Sequence, residues 1–436
     1  MCPRFCHLLY GFALLFFTTG LCAQFTELTP LPEPVSNNAV VATQVNGQTY
    51  VYSFCGIDPT KTWSGIHLKA WRYDVEAGLW DALPPVPDPQ GGKIAAWASE
   101  VKGKIYLIGG YHVAANGTET SSDKVHVFDP QTNTWLPDAA PLPTPIDDQV
   151  QAVWRDSLIY VITGWSNTTN VPLVQIFNPT LNQWMAGTPV PDEHDYKVFG
   201  AAGTIIGDTI YYAGGAKATF NFPPTTIFRK GIIHPANPLE IEWVKEERPE
   251  AKGYRMAVAV HAGRAVWLGG SDVTYNFNGI AYNGSGGVTP LARTTVFDPV
   301  NGNFFQSSGN MPPVMDLRGA AQINDDEVII AGGMAPGQQV SDRVWRIQLA
   351  SLTGIDDDET EKAFYNIFPN PANRELTVEL PGPFELEMYD ARSSFLFYKK
   401  ANDAITFSIA NLAPGIYWLD ITSARGLRVS EKVVVE

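Results

Sequence analysis

The sequence predicts an all-β protein: a closed ring of six like sheets, followed by a small C-terminal β-sandwich. Three observations carry that prediction. Glycine and proline number 38 and 33 among 436 residues, and aromatic residues reach 12%. Such a mixture of turn formers and aromatics favours strands over helices. One strand–turn–strand pattern recurs six times along the body of the chain. Short runs of alternating apolar residues then return between Asn366 and Glu436.

Length and charge set the outer bounds. A chain of 436 residues holds two to four domains at about 100–200 residues each. The formal net charge of −15 disfavours nucleic acid and anionic membrane surfaces as partners. Residues 1–23 read as a secretory signal peptide: Arg4 is the only charge, 8–17 is apolar, and Ala23 precedes Gln24. Bulky Leu21 fits a lipoprotein site at Cys22 poorly. Removal of this segment would leave Cys55 as the single cysteine, so stability must come from core burial without an internal disulfide. No later segment is apolar for 18 residues, so no membrane-spanning segment is expected in the mature chain.

The repeat occupies 24–352. Its cleanest copy runs Ile94-Ala95-Ala96-Trp97, then Gly103-Lys104, then Ile105-Tyr106-Leu107-Ile108-Gly109-Gly110. It continues through Val125-His126-Val127-Phe128-Asp129-Pro130 to Trp135 and Pro141-Leu142-Pro143. The second glycine of each copy falls at Gly56, Gly110, Gly164, Gly215, Gly270 and Gly333. Alternation of Val, Ile and Tyr suits half-buried strands. The glycine pair ends a strand where backbones approach closely or φ turns positive. Trp80, Trp135, Trp184 and Trp243 supply broad apolar faces between sheets. Each copy is one four-stranded sheet that must stack on its neighbours.

These residues resemble the kelch repeat over roughly residues 25–349, which implies a six-bladed kelch-type β-propeller. Some slots depart from the pattern: Cys55 and Thr163 replace the first glycine of the pair, and Phe304 stands where Trp is expected. The sixth copy ends without its Trp–Pro strand. Phe25-Thr26-Glu27-Leu28-Thr29-Pro30-Leu31-Pro32 is therefore expected to complete the last blade and close the ring, which hides two sheet edges.

Residues 353–365 read as an acidic linker, with Asp356, Asp357, Asp358 and Glu359 in succession. From 366 to 436 the residues Phe368-Pro369-Asn370-Pro371-Ala372, Leu412-Ala413-Pro414-Gly415-Ile416-Tyr417 and Lys432-Val433-Val434-Val435 resemble the C-terminal sorting domain of the bacterial type IX secretion system. That resemblance implies the secretion machinery as a partner and a secreted or cell-surface location.

Ligands of propellers usually sit on loops at one mouth. The kelch resemblance implies two sets of lining residues. Those before the inner strands include Asn38, Lys93, Asp148, Lys197, Arg255 and Arg318, and those after the glycine pairs include Asp58, Tyr111, His112, Trp165, Lys217 and Asp272. Four cations with one acid predict a local positive pocket for a carboxylated or phosphorylated ligand. Tyr111 and Trp165 add faces suited to sugar rings. The insertion at 271–289 is expected to shape a binding edge and to add little core.

The leading expectation is thus a non-catalytic binder of a glycan or protein at the propeller mouth, with no cofactor and no metal. Kelch-type copper radical oxidases need a Tyr–Cys crosslink and two His ligands, and the histidines here are scattered. No nucleophile elbow and no phosphate loop is present. One enzymatic alternative comes from architecture: a resemblance to the sialic acid (N-acetylneuraminate) mutarotases. In that case Asp148 and His194 would move protons and Arg255 or Arg318 would clamp the carboxylate.

Overall fold

The computed structural model describes residues 25–309, 311–350, 366–391, 394–423 and 428–436. The expected signal peptide and acidic linker lie outside the described residues. The chain divides into two compact units, Met1–Thr353 and Gly354–Glu436.

The first unit is a ring of six antiparallel sheets, five of four strands and one, that of blade 2, of five. Blade 1 runs from its inner strand Ala39–Val45 through Gln48–Ile57 and Ile66–Asp74 to Leu79–Leu83. The inner strands of blades 2 to 5 are Ile94–Val101, Val150–Trp154, Ala202–Ile206 and Ala257–His261. Blade 6 takes Ala321–Gln322, Glu327–Ala331 and Val344–Gln348 from the end of the unit, and its outer strand is Phe25–Glu27 from the start. Phe25 pairs with Ile347 and Glu27 with Trp345, so the N-terminal segment closes the ring. Core residues lie between blades: Val40, Val51 and Tyr73 of blade 1 pack with Ile329, Ala331 and Val344 of blade 6.

Local backbone chemistry makes the blades. The inner hairpins turn on residue pairs with both φ values positive, such as Asn46 at 53° with Gly47 at 84°, and Lys102 at 51° with Gly103 at 75°. Those are the turns whose twist matches a hairpin. The first position of each glycine pair is left-handed in every blade: Cys55 at 51°, Gly109 at 67°, Thr163 at 43°, Gly214 at 69°, Gly269 at 65° and Gly332 at 80°. A β-branched residue pays strain there. The Thr163 hydroxyl offsets it by donating to Val171 O at 2.9 Å and accepting from Val198 N at 3.1 Å.

Outer-strand tryptophans do more than fill space. Trp80, Trp135, Trp184 and Trp243 each donate an indole N–H to a backbone carbonyl of the preceding chain, at Thr29, Pro84, Ala140 and Thr188, over 2.8–3.0 Å. Each ring therefore ties its blade to the segment that enters it. Phe304 in blade 5 has no such donor and packs instead against Phe228 and Phe297, with centroids 4.9 Å from each.

The second unit is one five-stranded antiparallel sheet that curls upon itself. Its long strand Glu375–Asp390 pairs first with Asn366–Phe368 and then with Gly415–Ser423 along the same side, while Phe395–Ser408 runs along the other. A register shift between Leu380 and Pro383 marks the bend. Curling brings Leu376, Leu386, Leu419 and Val433, all with no exposed area, into one core. The two layers of the expected sandwich are thus halves of a single bent sheet.

Candidate functional site

A ring of six equivalent residues closes one end of the propeller axis. Asn37, Ala95, Asp148, Gly200, Arg255 and Asp316 each immediately precede or begin an inner strand region, and all have φ between 48° and 67°. Backbone hydrogen bonds pass around them: Asp148 N to Ala95 O at 3.2 Å, Gly200 N to Asp148 O at 2.8 Å, Arg255 N to Gly200 O at 2.8 Å, Leu317 N to Arg255 O at 3.1 Å and Asn37 N to Asp316 O at 3.2 Å. Asn37 Oδ1 accepts from Ala95 N at 2.8 Å and completes the circuit.

Charged side chains fill the centre of this ring. Arg255 donates through Nε and Nη2 to both Asp148 oxygens, at 3.0 and 2.6 Å, and through Nη1 to Asp316 Oδ1 at 2.8 Å. Arg318 Nη1 lies 3.2 Å from Asp148 Oδ1, and its guanidinium sits over the Trp97 ring. Ser36 and Asn37 donate to Asp316. All four charged groups are at most 2% exposed. Burial works against the Arg255 charge, yet the Asp148 and Asp316 carboxylates outweigh it and its pKa rises. Burial lowers that of Arg318 and raises that of Asp316. Two cations face two carboxylates, so the plug is internally balanced. Beneath it, a channel cavity of about 150 Å³ is lined by residues of all six inner strand regions, including Ser99, Gln151, Thr204 and Gly319.

Above the plug lies a smaller cavity of about 80 Å³. It is lined by Tyr111, Glu119, Asp147, Asp148, Trp165, Phe199, Phe222, Arg255, Asn276 and Tyr282. Its aromatic wall is an edge-to-face cluster: Trp165 to Phe222 at 5.6 Å, Trp165 to Phe199 at 5.5 Å and Phe222 to Tyr282 at 4.9 Å. Asp147 accepts from Ser121 Oγ at 2.5 Å. Burial and then the neighbouring Asp148 charge push the Asp147 carboxyl well above its usual range, and burial raises that of Glu119.

The residues singled out in the sequence separate into three places. Tyr111, Asp148, Trp165 and Arg255 line the cavity. Arg318 lies in the plug beneath it. Lys93, His112, Lys197, Lys217, Asp58 and Asp272 are elsewhere. The ring position of blade 2 is Ala95, two residues beyond Lys93, and Lys93 points between blades. There its Nζ lies 2.6 Å from Asp88 Oδ2 and 3.2 Å from His126 Nε2, fully buried. Burial of Asp88 opposes ionisation, but bonds from His126 and Lys93 with the Lys93 charge hold its carboxyl below the usual range. Burial lowers the Lys93 pKa. His112 Nδ1 is 2.9 Å from Gly92 O, facing the same blade gap. Lys197 pairs with Asp192, Lys217 with Asp195 and Asp272 with Arg293, while Asp58 accepts from Thr60. Asn38 bonds Ser53 Oγ and Ala331 O within the core, and His194 is exposed outside the cavity lining. The expected positive pocket therefore does not form: the cations that would make it are spent on carboxylates.

Sequence reasoning missed Glu119, Asp147, Phe199, Phe222, Asn276 and Tyr282. Two of them come from the 271–289 insertion, whose length was the signal. That insertion also contradicts the expectation of little core: Tyr275, Ala281 and Val288 are at most 5% exposed and pack with Phe199, Tyr254, Met315 and Met334. Tyr275 meets Tyr254 edge-on at 5.0 Å, and Arg255 lies over both rings. The cavity lining contains no histidine or cysteine, and Cys55 lies buried in the core between blades 1 and 2. These residues do not fit a copper ion held by a His pair and a Tyr–Cys crosslink.

The ring of blades and the curled tail define the class: a kelch-type β-propeller followed by a secretion sorting domain. Two family models agree with it by description. "Kelch motif" matches residues 98–138, and "Secretion system C-terminal sorting domain" matches residues 366–436. The tail directs export by the type IX system. The chain is 32% identical over 200 residues to Kelch-like protein terF of Aspergillus terreus, covering 44% of this chain and 40% of that protein. It is 25% identical over 181 residues to Kelch-like protein 25 of Xenopus tropicalis, covering 39% and 26%. It thus spans less than half the length of these curated relatives. Among solved structures it resembles "Structure of YjhT" at a TM-score of 0.55 and 17% identity, covering 72% of this chain and 95% of that one. A fungal alcohol oxidase of the AA5 family, in complex with copper, gives 0.51 at 16% identity, covering 94% and 99%. These two likenesses concern the fold. Among the described residues no helix is long and apolar enough to cross a membrane.

Proposed function

We propose that this protein is an exported, non-catalytic receptor that holds a glycan or protein ligand at the cavity above the axial plug. One observation carries the reading: an aromatic-walled cavity opens over a buried network whose Arg255 and Asp148 are already bonded to each other in bidentate fashion. Groups so engaged grip one another and hold the wall rigid, which suits recognition better than proton transfer. Rigid aromatic faces on a stiff ring are a common means of binding sugars and side chains at low entropic cost.

In this reading residues 1–23 act as the signal peptide, 353–365 as a linker, and the tail delivers the propeller to the cell surface or the medium. Mass spectrometry of the exported form reads both processing points. Binding is tested by screening the purified full chain against glycan and peptide arrays, then repeating the hits with Trp165→Ala. Loss of binding at wild-type thermal stability is expected, and unchanged binding would remove the cavity from the site. Catalytic acceleration of sialic acid anomer exchange, followed by NMR, would replace the receptor reading with an enzymatic one.

A further inference from the structure

We infer that the mouth cavity takes a positively charged nitrogen group, a primary ammonium or a guanidinium, where the sequence predicts an anionic one. The inference rests on the cavity being the receptor and adds the chemistry of what enters it.

Arg255, the cation in the cavity lining, is shared by Asp148 and Asp316, while Arg318 faces Asp148 from the plug and stands outside the lining. Two further carboxyl groups then line the cavity, Asp147 and Glu119. The ion pairs among the described residues include neither of them. Asp147 is only 4% exposed, and among the described residues the hydrogen bond its carboxyl accepts comes from the neutral Ser121 hydroxyl. A buried carboxyl beside another carboxylate, with the nearby Arg255 already bonded to Asp148 and Asp316, is a costly arrangement. An incoming ammonium would supply the missing partner.

The walls favour the same charge. Trp165, Phe222 and Tyr282 present ring surfaces around the space, and a cation over such rings is attracted by their quadrupoles. An anion entering the same space would meet Asp148 and Glu119 and an Arg255 already held by two carboxylates. A lysine or arginine side chain of a peptide and the free amine of an amino-sugar polymer both present such a charged nitrogen group.

The experiment uses the full chain carrying 5-fluorotryptophan, with the Trp165 resonance assigned by Trp165→Phe. Probes are Nα-acetyl-lysine methylamide, its ε-acetylated counterpart, glucosamine oligomers, N-acetylglucosamine oligomers and sialic acid. The free amines are expected to shift Trp165 and their acetylated forms to leave it unmoved. The stronger of the two amine series identifies the source. Glu119→Gln and Asp147→Asn should each weaken the amine about fivefold or more. Glu119 is exposed at the rim, so its variant keeps the test valid if Asp147→Asn does not fold. Sialic acid moving Trp165 while the amines do not would keep the receptor and overturn the charge assignment. Unchanged amine affinity in Glu119→Gln and Asp147→Asn would also overturn it. Array ligands that bind without moving Trp165 would instead remove the cavity as the receptor.

Discussion

Arg255 grips Asp148 across the propeller axis through two hydrogen bonds of 3.0 and 2.6 Å, joining the entrance of blade 5 to that of blade 3 over 107 residues of sequence. Both side chains are essentially without solvent exposure. The pair belongs to the scaffold as much as to the cavity, and it changes what the arginine can be expected to do.

Arg255→Ala should behave as a stability mutant. It leaves Asp148 and Asp316 short of a cation inside the protein, where breaking a buried pair costs about 3–5 kcal/mol. Chemical denaturation should show that loss. A variant with near wild-type stability would show that the network contributes little.

Gly109→Ala tests the left-handed slot of the glycine pair. A Cβ there would lie 2.4 Å from the Ile146 carbonyl oxygen, at a φ of 67°. Backbone cannot yield as a flexible side chain can, so a loss of about 2 kcal/mol or more is expected in thermal or urea unfolding.

Trp135→Phe isolates the indole bond. Phe keeps most of the ring contact with Phe54 and Phe128, 5.3 and 5.0 Å away, but leaves Pro84 O without its donor. The expected cost is about 1 kcal/mol, comparable with one partly solvated hydrogen bond. The same change at Trp184 should cost a similar amount, since its indole bonds Ala140 O in the same way.

His67 governs one limb of the pH dependence. Burial, and then the Lys69 charge, push its pKa down to about 4 from 6.5. Its Nδ1 is buried without a hydrogen-bond partner. The unfolded chain therefore binds a proton that the folded chain refuses. Stability is complete above pH 6.5 and falls as pH drops toward 4, by an amount on the order of 3 kcal/mol at most. His67→Gln should flatten the melting temperature between those pH values, and an unchanged acid limb would assign it to other groups.

Much of the fold was legible because its causes are local. The glycine pairs mark left-handed strand ends, the turn pairs mark hairpins, and the missing sixth outer strand pointed to Phe25–Glu27. Alternation in the tail foretold strands, though not that one 16-residue strand would bend to serve both layers. The site was legible only in part. Tyr111 and Trp165 follow their glycine pairs directly, whereas Phe222, Asn276 and Tyr282 arrive on loops whose path no spacing dictates.

What the amino-acid order determined by itself is the blade: period, turns, aromatic slots and the count of six, each set by interactions within about 50 residues. What only tertiary structure decided is the charge of the mouth. A two-residue offset placed Ala95 on the axis and sent Lys93 between blades, and closure of the ring brought Arg255 onto Asp148. Electrostatics depend on which groups meet in space, and partners on different blades meet only once the ring has closed.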